Sequence, residues 1–182
     1  MAQQAASRQF RLIAPPEETE YPGHMGKYIR LVPADGKVLQ HLRAGMEAVR
    51  TLLSGLPEAR LHYRYAPGKW TLKEMLLHMT DTERIFSCRA LCFARNEKAE
   101  LPGFEQDDYA AASGAHARSL TDLLEEYATV REASLSLFNG LPREALTRSG
   151  TAAGSNISVR ALAYATAGHE LHHLNVIRQL YC

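Results

Sequence analysis

Thr71-Leu-Lys-Glu-Met-Leu-Leu-His-Met-Thr-Asp-Thr-Glu-Arg-Ile-Phe-Ser-Cys-Arg-Ala-Leu-Cys-Phe-Ala-Arg-Asn96 reads as one long helix, and the rest of the chain is organised around it. Thr71 and Glu74 stand at the spacing of a capping box, in which each side chain satisfies a free backbone N–H of the first turn. At about 100° per residue, Ile85 falls within about 20° of His78 and Met75 within about 60°. His78 therefore lies in the stripe that should face a core.

Three further segments carry the same periodicity. One runs from about Ala34 to Ser54, with Leu39, Leu42, Met46, Val49 and Leu53 spaced by three and four, and is closed by Gly55 and Pro57. Another runs from about Ser119, as N-cap, to Asn139, where Asn139-Gly140 stops it. The last begins near Asn156 to Ser158 and continues to the C-terminus. No strand alternation exceeds a few residues, so the class is all-α, a four-helix bundle over residues 34–182. The connections, roughly 15 to 20 residues each, are longer than the two to eight usual in bundles. Neighbouring helices need not be antiparallel with loops of that length. Residues 1–33 read as an extended N-terminal arm, because Pro15-Pro16, Pro22-Gly23 and Pro33 leave little room for a helix.

The 182 residues suffice for one domain with a full core. The 21 basic and 20 acidic residues are dispersed and sum to +1, so nothing favours nucleic acid or an anionic membrane as partner. No stretch approaches the roughly 18 apolar residues of a membrane span, and the first thirty residues lack the apolar run of a signal peptide. Cys88 and Cys92, four apart on one helix, are poorly placed for a disulfide. Reduced thiols and a cytoplasmic location are expected.

The histidines carry the chemistry. On the fourth helix, His173 lies about 40° round from His169 and one turn along, and Leu162, Val176 and Leu180 fall within about 20° of His169. Two imidazoles so placed can point at one ion, as i and i+4 ligands do. Core histidines satisfied by ordinary hydrogen bonds are the other reading. Three of them on core stripes, counting His78, would cost about 1 to 3 kcal/mol each if left unpartnered, whereas a shared ion satisfies all three. His172 is the rival ligand, at i+3 and about 60° on the other side of His169; its expected place is the pocket or its rim. His24, His41, His62 and His116 receive no role.

Asp81, one turn beyond His78, is the catalytic candidate: it could orient that ring, activate a bound water or serve as a fourth ligand. Glu83 faces nearly the opposite way and should be solvated or paired with an arginine. Asp107 and Asp108 either close a cavity mouth or form a solvated turn. Arg89, within about 20° of His78 but three turns on, either binds an anionic substrate group or pairs with a carboxylate, and the pair is favoured. Cys88 and Cys92 read as small buried hydrophobes and Trp70 as a core plug. Leu171 and Leu174, on the side of the fourth helix away from His169, require a cover. A homodimer is expected, with the N-terminal arm as the competing cover.

At Tyr65-Ala-Pro-Gly-Lys-Trp-Thr71, Leu77-His-Met-Thr-Asp-Thr-Glu-Arg84, Arg89-Ala-Leu-Cys-Phe-Ala-Arg95, Leu101-Pro-Gly-Phe-Glu-Gln-Asp107, Ser158-Val-Arg-Ala161 and Gly168-His-Glu-Leu-His-His173, the chain resembles the DinB superfamily. That resemblance implies a bundle of up-down-down-up topology, often dimeric. It also implies a metal held by one histidine of the second helix and two of the fourth, which carries over to His78, His169 and His173. Glu105 stands where the family's loop motif has aspartate. Three neutral imidazoles leave one divalent ion, zinc or nickel, net positive with an open position. The expected activity is hydrolysis or transfer of a low-molecular-weight thiol, on a small-molecule substrate. The alternative is a non-catalytic ion that only staples the second and fourth helices.

Overall fold

The computed structural model describes residues 9–181; residues 1–8 of the expected arm, and Cys182, lie outside the described residues. Four long helices form the bundle: α2 (Val38–Ser54), α4 (Leu72–Ala94), α6 (Leu120–Gly140) and α7 (Val159–Leu180). Three short ones lie between or before them: α1 (Gly26–Ile29), α3 (Glu58–Leu61) and α5 (Gln106–Ala112). The starts of the long helices are written in the sequence. Glu74 Oε2 accepts from the Thr71 backbone N–H at 2.8 Å while the Thr71 hydroxyl accepts from Glu74, closing the capping box of α4. Ser119 and Ser158 accept from the N–H groups of Asp122 and Ala161 in the same way. Each such cap is worth about 1 kcal/mol.

α4 packs against α6 and α7, and α2 packs against the same two. Along α4, Arg84 meets Glu126 of α6 and Ser87 meets Ser134. Against α7 the order is reversed: the Trp70 carbonyl before α4 accepts from Tyr181, His78 meets His169, and the Ala94 carbonyl accepts from Arg148 ahead of α7. Arg43 of α2 pairs with Glu132 of α6, and Gly45 abuts Glu170 of α7.

The long connections have structure of their own. One contains α3 and a second contains α5. The third carries a hairpin, β1 (Ser149–Ala152) antiparallel to β2 (Ser155–Ser158), with Ser149 opposite Ser158. The hairpin is a small addition to a chain that is otherwise mostly helical. The strands are four residues long and built of Ser, Gly, Thr, Ala, Asn and Ile, too short to show alternation. Ala153 and Gly154 turn between them with φ of 49° and 72°, the positive values a two-residue hairpin turn needs. Gly150 is required where it stands, since a Cβ there would lie 2.2 Å from the Phe93 ring.

The prolines of the N-terminal segment do not exclude a helix, since α1 forms between Pro22 and Pro33. The segment lies along the bundle: the Ile13 carbonyl accepts from Tyr164, Glu20 pairs with Arg160, and a Cβ on Gly168 would lie 2.1 Å from the Tyr28 carbonyl oxygen. Leu174 is buried in the core and Leu171 is half-buried against it, so the face that prompted the homodimer expectation is covered within the chain.

The core falls into two apolar clusters. One gathers Val38, Leu42, Phe86, Phe93, Phe138 and Leu162; the other gathers Met46, Leu53, Leu76, Leu123, Leu174 and Ile177. Between them, in the register of all four long helices, lies a polar layer. Arg131, 1% exposed, donates from Nε to Glu83 at 2.9 Å and from Nη2 to Glu83 at 2.8 Å and Glu170 at 2.5 Å. It also donates to the Leu42 carbonyl, and Tyr127 donates to Glu170. Burial works against the charge of Arg131, but Glu83 and Glu170 outweigh it and hold the group well above its ordinary pKa. Of the two expectations for Glu83, pairing with an arginine is the one realised, in the interior.

Candidate metal centre

α4 and α7 cross where His78 faces His169 and His173. His169 Nε2 lies 3.0 Å from His78 Nε2 and 3.0 Å from His173 Nε2, and the three nitrogens all fall within 4.8 Å of one another. All three residues are buried. A neutral imidazole has one N–H and one lone pair, so Nε2 of His169 can serve only one of its two neighbours through a proton. A cation among the three takes every lone pair. The donor set, three neutral nitrogens converging on one point from two helices, fits a divalent transition metal.

Burial keeps the rings neutral. It pushes His78 down to about 4, with the Asp107 charge pulling the other way, and His173 down to about 3; His169 is driven well below its ordinary value. In protein stripped of metal, a ring neutral in the fold must take up a proton on unfolding once the pH falls below about 6.5. Stability is then whole above about 6.5 and declines as pH falls toward 4, by about 3 kcal/mol through His78 alone. Urea midpoints of chelator-treated protein between pH 7 and pH 4.5 measure this, and a flat profile contradicts it.

Aromatic rings fix the imidazoles. Trp70 lies 4.5 Å from His78, centroid to centroid, and is half-buried: it is a wall of the site rather than the expected core plug. Tyr28 of α1 stands edge-on to both His169 and His172, at 5.4 and 5.3 Å. His172 is half-buried beside His173 and lines a cavity of about 300 Å³ with Trp70, Gln106, Asp107 and Tyr181. A second cavity, of about 270 Å³, is lined by His78 and His169, with Gln106 bordering both cavities.

The remaining residues singled out in the sequence are distributed as follows. Asp107, at the start of α5, lines the first cavity and its charge reaches His78. Asp81 accepts from Arg84 at 3.2 Å, beside Glu126 of α6, and makes no contact with the three imidazoles. Arg89 donates to the Pro102 carbonyl at 2.7 Å; no carboxylate among the described residues pairs with it, contrary to the favoured expectation. Cys88 is exposed and Cys92 half-buried, so the first is no buried hydrophobe. Leu180 is 43% exposed, and the stripe beneath the histidines ends before it. His24, given no role in the sequence, lines the second cavity. Its position in the proline-bounded arm gave no periodicity from which to place it.

The profile of the DinB superfamily matches residues 41–177. No curated protein matches the chain. Among solved structures it resembles YfiT from Bacillus subtilis, described as a probable metal-dependent hydrolase with an unusual four-helix bundle topology. The TM-score is 0.70 at 15% identity, over 91% of this chain and 90% of that one, a likeness of fold. With the profile spanning both helices that bring the three imidazoles together, the chain belongs to the DinB superfamily.

Proposed function

We propose that this protein is a metal-dependent hydrolase acting on a small molecule, with His78, His169 and His173 holding one divalent transition-metal ion, zinc or nickel. The observation that carries the reading is the approach of three buried imidazoles to one point, with one cavity lined by His173 and another by His78 and His169. Such an ion supplies Lewis acidity and lowers the pKa of the water it binds to about 7. Around it the chain's own residues divide the work. Trp70 and Tyr28 hold the rings in place, while Asp107 and His172 line the approach where protons are exchanged. Asp81 is given no part in this reading, because it pairs with Arg84 and no hydrogen bond joins it to the three imidazoles among the described residues.

The two cavities count against an ion that merely staples α4 to α7, because a closed structural site offers no access. The residue pairings along the helices support the up-down-down-up order, with α4 and α6 parallel and α7 antiparallel to α4. The free thiols of Cys88 and Cys92 accord with a cytoplasmic location.

The test is turnover of a panel of activated esters and small amides. Activity should vanish with chelator and return with one equivalent of zinc or nickel per chain. His172→Ala should retain the metal yet lower turnover about 10- to 100-fold, since an imidazole lining the cavity beside His173 can pass protons to and from a bound molecule. Full activity in chelator would remove the proposal.

A further inference from the structure

One face of α4 holds a guanidinium without a carboxylate and a hydroxyl without a hydrogen-bond partner among the described residues. His78, Thr82, Phe86 and Arg89 follow at i, i+4, i+8 and i+11, which places them within about 80° of one another. All four line the second cavity. Arg89 is 9% exposed and makes one protein hydrogen bond, to the Pro102 carbonyl. Its Nε and Nη1 atoms have no protein acceptor among the described residues, and the residue lines the cavity. Burial lowers its pKa with no carboxylate to oppose the shift. The Thr82 hydroxyl is sealed in and has no hydrogen-bond partner.

A buried guanidinium without an anion is costly, because its desolvation is uncompensated. Elsewhere in this interior the rule is kept: Arg131 has two carboxylates. The anion that Arg89 lacks is therefore sought outside the chain. We infer that the second cavity binds a small-molecule carboxylate lengthwise along α4, its carboxylate on Arg89 and its reacting end at the three-histidine centre. A planar guanidinium suits a carboxylate because two parallel N–H donors meet two oxygens. The helix rises about 16 Å between His78 and Arg89. Phe86, Met25 and Phe104 also line the cavity, so the middle of the ligand is apolar. Glu105 also lines this cavity but is exposed, and it is not among the charges that act on Arg89.

This inference rests on the proposed metal site, and its test separates the two. Linear dicarboxylic monohydroxamates with four to six methylenes are titrated into zinc-loaded protein beside their methyl esters, the hydroxamate serving as metal-binding end. In wild type the free acid should bind about 10- to 100-fold tighter than the ester. Arg89→Met should erase that difference while leaving ester affinity unchanged, and Arg89→Lys should keep part of it. Equal affinity of acid and ester in wild type overturns the carboxylate subsite and leaves the metal reading standing. If the protein takes up no zinc and neither compound binds it, the metal reading itself is overturned. The acid–ester comparison needs no variant, so a misfolded Arg89→Met does not blunt it.

Discussion

Arg131→Met is expected to cost about 3 to 5 kcal/mol of folding stability, since it leaves Glu83 and Glu170 buried without their cation. The guanidinium touches three other helices: it donates to the Leu42 carbonyl of α2, to Glu83 of α4 and to Glu170 of α7. Its loss unties the layer that separates the two apolar halves of the core. Gly45→Ala should approach the same effect from the opposite side. A Cβ at Gly45 would stand 1.6 Å from Glu170 Oε1 and 2.8 Å from its carboxyl carbon, so Glu170 must leave Arg131 or the helices must part. Urea unfolding of both variants measures this. A loss below about 1 kcal/mol in Arg131→Met would mean that the buried layer is not what ties the helices together.

The second large effect concerns metal affinity. His169 is the shared neighbour in both 3.0 Å contacts, so His169→Ala should remove the ion rather than weaken it. His78→Ala and His173→Ala should each exceed the 10- to 100-fold loss typical of residues that only support a ligand. His172→Ala should fall within or below that range. Competition with a chelator ranks the four variants. If His172→Ala loses the ion while His173→Ala retains it, the pairing on α7 is i and i+3, and His173 is not a ligand.

Much of this arrangement could be read from spacing. The capping box at Thr71 and Glu74, the serine cap at Ser119, the start of the last helix near Asn156 to Ser158, and the three-and-four spacing of α2 place the long helices to within a few residues. The i, i+4 pair His169 and His173 and the core-side position of His78 are periodicity statements, and the three rings meet in the fold. Two kinds of feature were not legible. The first is the buried layer: Glu83, Arg131 and Glu170 are charged, and charge in a helix reads as surface unless its partners on other helices are known. The second lies outside the long helices. Tyr28, Gln106 and His24 reach the site from α1, α5 and the segment before α1, which are too short to show a period. Arg89 belongs to both groups, since its face of α4 was legible and its lack of a carboxylate was not. Cys88 shows the limit of composition, because its residue type suggested burial that its position denies.

Zinc K-edge X-ray absorption of protein loaded with one equivalent of the metal tests the centre most directly. Three imidazole nitrogens at about 2.0 to 2.1 Å are expected, with any further neighbour a light atom, and that signature should be lost in the His169→Ala, His173→Ala double variant. A sulfur shell at about 2.3 Å, which would bring Cys88 or Cys92 to the metal, or fewer than three imidazoles, would contradict the three-histidine centre.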